Sequence, residues 1–261
     1  MENSIELTST QLSRLQRLAI APSQLQFSTR IVLEREQQHY LSRVLRLNAG
    51  DRFISMDGQG HWWLAQLSAS LDSATILQPI HVERELPIDV TLIVALPKTG
   101  FDDIVRQTTE LGVATLMPTI TERTLLKPSA QKLTRWRRIA KEAAEQSERL
   151  FVPTIVDPIS FDKAVNETRQ LWRRYICLAR GEGTHLLDRL AEIPADTPNR
   201  ATGTIAIAIG PEGGWTAREI DTAIAARFEP VSLGRRILRT LTAPMAALSV
   251  AAAAFERKIG N

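Results

Sequence analysis

The sequence predicts two parts of different architecture, a small β-barrel followed by an α/β domain with a parallel sheet. Short β-type runs separated by turn residues occupy roughly the first third of the chain, which is typical of small barrels. Beyond them strands alternate with helices, and each strand is apolar on both faces, as in parallel sheets covered by helices on both sides. We therefore expect a barrel domain over residues 1–84 and an α/β domain over residues 85–261.

The predicted barrel combines β-strands with one short helix. Tyr40, Val44 and Leu47 recur at helical spacing, which predicts a helix over Glu36–Leu47 and favours a core position for Tyr40. The turn between two of the strands is rich in glycine, and the next is rich in serine and aspartate. The predicted strands are Arg30–Leu33, Asp51–Met56, His61–Leu67 and Ala74–Ile80, and residues 83–87 are a predicted linker.

The predicted α/β domain begins with a near-continuous apolar strand. The helix that follows is expected to stop at Gly112, and a long, basic, amphipathic helix comes later. In chain order, the predicted strands are Asp89–Leu96, Val113–Pro118, Arg174–Ala179, Thr202–Ile209 and Pro230–Leu233, and the predicted helices are Phe101–Leu111, Gln131–Phe151, Thr216–Phe228 and Leu241–Lys258.

Composition excludes several classes of protein. The chain has 261 residues and one cysteine, so it can form no intrachain disulfide. We expect Cys177, which lies in an apolar run, to be a buried core thiol. No apolar run is long enough to cross a membrane, and residues 1–10 lack the basic start of a secretory signal. We expect a cytoplasmic protein.

Positive charge is concentrated in three regions, although the net charge is only +3. Residues 123–141 carry seven Lys or Arg and no acid, and residues 230–255 carry three Arg and no acid. Residues 11–52 carry seven Arg against three acids. Each region alone is more simply a solvated face. Together the three favour a polyanionic partner.

A glycine-rich turn gives the sharpest local signal. The segment Ile209-Gly-Pro-Glu-Gly-Gly-Trp-Thr216 follows a predicted buried strand, and Thr216 and Glu219 have the spacing of a helix capping box. A strand, a glycine turn and a helix N-terminus form a natural ligand-binding corner at the carboxyl edge of a sheet. The alternative is a tight structural turn.

A second segment, Leu233-Gly-Arg-Arg-Ile-Leu-Arg-Thr240, also lies between a strand and a helix. Its three guanidinium groups have no nearby carboxylate in the sequence, which favours an anionic ligand. The alternative is pairing with the distant acids Glu212 or Glu219.

Other ligand motifs are missing from the sequence. Gly181-Glu-Gly183 is too short for a dinucleotide-binding loop, and no Walker lysine follows the glycines. The four histidines, His39, His61, His81 and His185, lack metal-ligand spacing. We expect no metal.

The two late segments resemble the SPOUT class of methyltransferases and, within it, the ribosomal RNA small subunit methyltransferase E family. The resemblance covers nearly the whole chain, since further family-like motifs occur in the same order. These are His39–Arg46 with Gly50-Asp51, Thr109–Val113, Glu122-Arg123, Arg135-Trp136 with Ile139, and Glu142–Ser147 with Arg149 and Val152-Pro153.

This resemblance implies a fold, a reaction and an assembly. The fold would be a small PUA-like barrel followed by a SPOUT-type α/β domain whose C-terminal part forms a trefoil knot. The reaction would be methylation of uracil N3 of a uridine in 16S rRNA of the small ribosomal subunit, with S-adenosylmethionine as methyl donor. The active unit would be a homodimer.

The resemblance also implies the residues of the cofactor site. One wall would be the glycine turn, and another would be the arginine loop. A third wall, after the strand that ends near Leu178, rests on a looser motif. The implied cofactor-binding residues are Leu178, Ile209, Gly210, Pro211, Glu212, Gly213, Gly214, Leu233, Gly234, Ile237, Leu238 and Arg239.

Two departures from the family pattern affect the chemistry. Leu241 stands where the family usually has glutamate, and Gln107 stands where it usually has lysine. The expected catalytic groups are Arg239 and then Arg236, whose guanidinium groups would stabilise a developing uracil anion. Glu212 is either a general base or a carboxylate that holds the turn through backbone N–H groups.

RNA binding is assigned to the basic regions, and most tryptophans are assigned to packing. Trp215, directly after the glycine turn, is the one expected at the pocket rim. Two further functions stay open, methylation of another RNA position such as a ribose 2′-hydroxyl, and a non-catalytic ribosome-binding factor. The predicted RNA-binding residues are Arg14, Arg17, Arg43, Arg46, Arg123, Arg135 and Arg138.

Overall fold

The computed structural model of the chain describes residues 9–124, 128–179, 183–194 and 203–257. They form two compact units. The first comprises Met1–Arg84 with Glu148–Phe151, and the second comprises Glu85–Ser147 with Val152–Asn261. The chain returns briefly to the first unit at Glu148–Phe151, and no sequence pattern predicts this return.

The first unit is built on a six-stranded sheet in the order β1-β4-β5-β6-β3-β2. The sheet is antiparallel except for the parallel pair of β1 and β4. Phe53 on β4 packs into one apolar cluster and its neighbour Ile54 packs into another, so this strand is buried on both faces. The elements are α1 Ser9–Arg14, β1 Arg17–Ala19, β2 Leu25–Gln26, β3 Arg30–Val32, α2 Arg35–His39, β4 Arg52–Met56, β5 Trp62–Leu67 and β6 Ser73–Ile80.

The helix predicted over Glu36–Leu47 is wrong in its second half. Helix α2 ends at His39 and continues as a π-helical turn over Tyr40–Val44, closed by the bond from Leu45 N–H to the Tyr40 carbonyl. A π turn advances fewer degrees per residue than an α-helix, so the buried side chain is Leu41. Tyr40 is 42% exposed and Val44 is 58% exposed. The core position expected for Tyr40 is therefore also wrong.

The second unit is a parallel sheet with helices on both faces, as the sequence predicts. The strand order is β10-β8-β7-β12-β11-β13, with β9 beside β8, and every pair is parallel. The elements are β7 Asp89–Ala95, α3 Phe101–Glu110, β8 Thr115–Ile120, α4 Ala130–Gln146, β9 Thr154–Ile155, β10 Ile159–Ser160, α5 Phe161–Glu167, β11 Arg173–Cys177, α6 Leu186–Ala191, β12 Thr204–Ile209, α7 Ala217–Ala225, β13 Glu229–Val231 and α8 Thr242–Glu256.

Strand β12 shows how the two layers of helices are packed. Its isoleucines at 205, 207 and 209 pack into the cluster that includes side chains of α3, α4, α6 and α8. Its alanines at 206 and 208 pack into the smaller cluster with α5 and α7. Among the described residues, no helix combines the length and apolar character needed to cross a bilayer.

The helix predicted over Gln131–Phe151 is too long. Helix α4 ends at Gln146, and Glu148 has a φ of 57°, a left-handed conformation that stops an α-helix. The short elements β9, β10, α5 and α6 were not predicted. The trefoil knot stays a prediction.

Candidate active site

A cavity of about 680 Å³ lies in the second unit at the carboxyl ends of neighbouring strands. Its walls come from the ends of β11 and β12, from the glycine turn after β12 and from the arginine loop after β13. Ligands of parallel α/β sheets bind at this edge, and the volume lies within the range of about 300–1,000 Å³ that is usual for small-molecule sites. Every residue predicted to contact a cofactor, together with Arg236, lines this cavity.

The glycine turn is fixed by local hydrogen bonds. Gly214, at a φ of 73°, donates its N–H to the Pro211 carbonyl at 2.8 Å. The predicted capping box forms, because the Thr216 hydroxyl accepts from Glu219 N–H and the Glu219 carboxylate accepts from Thr216 N–H. The turn therefore leads directly into α7.

The Glu122-Arg123 segment braces the same turn from outside. Glu122 N–H donates to the Glu219 carboxylate at 2.9 Å. The Arg123 guanidinium donates to the carbonyl oxygens of Gly213 and Gly214. Arg123 therefore holds the turn in addition to the RNA contact predicted for it.

Trp215 closes one side of the cavity. Its indole N–H donates to the Cys177 carbonyl at 3.1 Å, and its ring lies 4.5 Å from that of Phe161. A β-carbon added at Gly210 would lie 3.1 Å from the indole. Glycine at 210 therefore accommodates the close approach of Trp215, whose ring would have to shift to admit a β-carbon.

Glu212 is the carboxylate that lines the cavity, and its Oε1 accepts the backbone N–H of Lys98 at 3.1 Å. This bond ties the glycine turn to the loop between β7 and α3. Of the two roles considered for Glu212, the contact supports holding the turn through a backbone N–H.

The guanidinium groups of the arginine loop have no carboxylate partner within the described ranges. Arg235, Arg236 and Arg239 are all exposed, and none forms an ion pair there. Glu212 and Glu219, the acids considered as alternative partners, accept backbone N–H groups instead. Arg236 and Arg239 line the cavity, whereas Arg235 does not. Two free cations thus border the space available to a ligand.

Leu241 lines the cavity with an aliphatic side chain at the position where the family resemblance implies a carboxylate. It is 38% exposed and packs over Gly100. A β-carbon at Gly100 would lie 2.9 Å from a Leu241 methyl group. Leu241 therefore separates the cavity from the start of α3.

Cys177 is buried, as expected from the sequence, and only 8% of it is exposed. Burial raises the pKa of its thiol to about 12. Because this pKa lies far above neutral pH, the side chain lines the cavity as a protonated thiol, which is not the nucleophilic form.

The predicted RNA-binding arginines fall into two groups. Arg14, Arg43 and Arg46 are exposed and form no ion pair within the part of the chain that the structure describes. Each of the others has a carboxylate or carbonyl partner. Arg17 pairs with Glu148 at 3.0 Å, Arg135 with Asp102 at 2.7 Å and Arg138 with Glu142 at 3.0 Å.

Arg17 fits the RNA-binding prediction least well. Its side chain is 17% exposed and also donates to the Leu15 carbonyl. Those contacts anchor the first strand of the first unit. Of the exposed arginines, Arg43 lies in the π-helical turn that begins at Tyr40 and Arg46 follows that turn, whereas Arg14 is the last residue of α1.

The contribution of the loop between β7 and α3 was not predicted from the sequence. Thr99 lines the cavity from this loop, since β7 pairs with β12 and Val94 lies opposite Ile209. The sequence did indicate that β7 is a strand of the parallel sheet, and this could have placed the loop after β7 at the same edge as the loop after β12.

Sequence comparison decides the family. Residues 84–252 match the RNA methyltransferase domain family, and residues 33–77 match the RNA methyltransferase PUA domain family. The chain belongs to the ribosomal RNA small subunit methyltransferase E family. It is 45% identical over 253 residues to the member from Synechocystis, covering 94% of this chain and 79% of the relative. It is 32% identical to the member from Bacillus subtilis, covering 82% and 86% respectively.

A solved member of this family has the same fold. The ribosomal RNA small subunit methyltransferase E from Neisseria gonorrhoeae, bound to S-adenosylmethionine, superposes with a TM-score of 0.76 at 30% identity, covering 90% of this chain and 96% of that one. The family membership and the α/β fold with a PUA-like first domain, both predicted from the sequence, are confirmed. Across the described residues, no group of three or more His, Cys, Asp or Glu could hold a metal ion.

Proposed function

We propose that the protein transfers the methyl group of S-adenosylmethionine to N3 of a uridine in 16S rRNA of the small ribosomal subunit. The observation that carries the proposal is the single cavity lined by both the glycine turn and the arginine loop, with two unpaired guanidinium groups at its border. The family relationship and the donor bound to the Neisseria protein support the choice of cofactor.

The residues of the cavity fit this donor. Leu178, Ile209 and Leu238 offer apolar surface for a flat nucleobase. Exposed backbone at the glycines allows close approach of a polar nucleoside. The free guanidinium groups match the donor's carboxylate or the acceptor's phosphate. When bound, S-adenosylmethionine would supply a sulfonium methyl group, so that uracil N3 forms the new N–C bond as the S–C bond breaks and the N3 proton leaves.

The chain's own groups would position the uracil and stabilise its charge. Uracil N3 is largely protonated at neutral pH, so departure of its proton leaves negative charge on the ring until N3 takes up the methyl group. A guanidinium from Arg239 or Arg236 next to a ring oxygen would stabilise that charge. Leu241 supplies no base, and Glu212 is engaged with Lys98. We infer that proton removal relies on charge stabilisation by arginine, with solvent as the proton acceptor.

The direct test is methylation of small ribosomal subunits that lack the modification, followed by mass spectrometry of the nucleosides. 3-Methyluridine is the expected product. A 2′-O-methylated nucleoside would instead support the alternative RNA position, and an absence of any methylated product together with an absence of donor binding would support a non-catalytic ribosome-binding factor.

Two single variants in the arginine loop refine the test. Arg239→Ala should lower kcat by about 100- to 1,000-fold, as expected for loss of one charge-stabilising donor. Arg235→Ala is the matched control, because Arg235 is exposed in the same loop and does not line the cavity. Its kcat at saturating RNA should equal that of the wild type. Equal kcat for Arg239→Ala would refute the assignment.

The family resemblance also leads us to propose a homodimer as the active unit. Sedimentation equilibrium of the full chain should give twice the mass of one chain. A monomer with full methyltransferase activity would contradict this part of the proposal.

A further inference from the structure

A second cavity, of about 600 Å³, adjoins the first within the same unit. It lies between the loop that joins β7 to α3 and the first turns of α4. Thr99 lines both cavities. The two spaces therefore meet at the carboxyl edge of the sheet.

The two cavities are separated by the contact between Leu241 and Gly100. Leu241 lines the first cavity and packs over Gly100, which lines the second. The bond from Lys98 N–H to Glu212 holds the same loop against the glycine turn. A molecule seated in the second cavity would thus lie beside whatever occupies the first.

The carboxylates of the second cavity are already neutralised. Asp102 accepts from Arg135 Nε at 2.7 Å and from the Trp136 indole N–H at 3.0 Å. Asp103 pairs with Arg106 at 2.8 Å. These acids consequently offer little negative charge to a ligand.

Two lysine side chains of the second cavity are available to a ligand. Lys98 and Lys132 both line it and are exposed, and neither has an ion-pair partner in the described ranges of the chain. With both aspartates paired to arginines, the lysines leave the cavity with an excess of positive charge. An ammonium group without a protein partner, next to a cleft, is suited to a phosphate.

We propose that this second cavity binds the RNA strand that flanks the target nucleotide, with Lys98 and Lys132 contacting its phosphates. The inference rests on the proposed methyl transfer and deepens it. A base inside folded RNA must leave its stack to reach an enclosed site, and a neighbouring cationic cleft would hold the backbone on one side of that base. The shared boundary at Thr99 would then lead the base toward the first cavity.

The test uses the full-length protein with Lys98→Ala and Lys132→Ala combined. Affinity for a uridine-containing single-stranded RNA should fall at least tenfold. The slope of log affinity against log salt should become shallower by about 1.4, since each phosphate contact on a single strand contributes about 0.7. The KM for small subunits should rise in parallel, while the Kd for S-adenosylmethionine stays at the wild-type value.

Two controls separate charge from structure. Lys163→Ala removes an exposed lysine that pairs with Glu167 and lines neither cavity, so its RNA affinity and salt slope should match the wild type. The combined variant Lys98→Arg with Lys132→Arg should keep most of the wild-type affinity for RNA, because the positive charge is retained.

An unchanged salt slope in the double alanine variant, with wild-type methylation intact, would overturn this inference and leave the proposed function standing. Loss of S-adenosylmethionine affinity in that variant would also overturn it, because the cleft would then serve the cofactor. If the wild-type protein neither binds the donor nor methylates RNA, the proposed function fails instead.

Discussion

Gly210→Ala places one methyl group against the ring of Trp215, which closes one side of the cavity proposed to bind the methyl donor. The new carbon would lie 3.1 Å from Trp215 Cε2 and Nε1 and 3.3 Å from Cδ1, whereas unstrained carbon contacts lie at about 3.5–4.0 Å. The backbone itself permits alanine, because Gly210 is not among the glycines with positive φ. The effect of the substitution therefore comes from displacement of the indole.

The size of the effect follows from the contacts of Trp215. Losing its hydrogen bond to the Cys177 carbonyl would cost about 0.5–1.5 kcal/mol, and weakening its contact with Phe161 would cost up to about 1.5 kcal/mol. Alanine also restricts the unfolded chain, which offsets about 0.4–1 kcal/mol. We expect Gly210→Ala to lower the free energy of unfolding by about 1 kcal/mol and Tm by about 2–4 °C.

The same displacement moves a wall of the cavity, so the Kd for S-adenosylmethionine should rise about tenfold or more, a factor that corresponds to about 1.4 kcal/mol. The assays are thermal unfolding followed by circular dichroism, and calorimetric titration with the donor. Wild-type Tm and donor affinity in Gly210→Ala would refute the reasoning.

Three further predictions test single features. Glu212→Gln should keep kcat within a few-fold of wild type, because the amide oxygen still accepts Lys98 N–H, whereas Glu212→Ala should lower activity; a large loss in the Gln variant would identify a base. Between about pH 9 and 10 the contribution of Cys177 to the free energy of unfolding should fall by about 1 kcal/mol, because the unfolded thiol ionises there while burial holds the folded pKa at about 12. Urea titrations should show a smaller fall in Cys177→Ala, and an identical fall would contradict the burial argument. Arg43→Ala with Arg46→Ala should flatten the salt dependence of RNA binding by about 1.4, and filter binding that shows an unaltered slope would exclude that surface.

The local parts of the fold could be predicted from the sequence. Parallel strands such as Thr204–Ile209 are apolar on both faces, and that pattern identifies a covered sheet. The capping box of Thr216 and Glu219 lies within four consecutive residues, so sequence spacing alone specifies it. The glycine turn and the arginine loop were likewise predicted from short, continuous stretches of sequence.

The errors arise where distant contacts or unusual backbone decide the structure. A π-helical turn at Tyr40 shifts the buried face to Leu41, and no residue type signals such a turn. The ion pairs of Arg135 and Arg17 could not be predicted, because their partners, Asp102 and Glu148, are far away in sequence. Arg138 pairs with Glu142 four residues on, and that partner was visible at helical spacing.

The second cavity could not be predicted from the sequence, because its two lysines come to line the same space only in the tertiary fold. Lys98 follows β7 and Lys132 lies in the first turn of α4, and no spacing rule relates them. The loop after β7 reaches the first cavity only because β7 lies beside β12, so that both strands end at the same carboxyl edge of the sheet.

The central claim is that the glycine turn and the arginine loop jointly enclose the methyl donor. A crystal structure of the protein grown with S-adenosylmethionine measures this most directly. The account predicts electron density for the donor in contact with both Gly210–Gly214 and Leu233–Arg239. Density for the donor at any other place, or a cavity filled by the side chains of Trp215 and Leu241 at saturating donor, would contradict it.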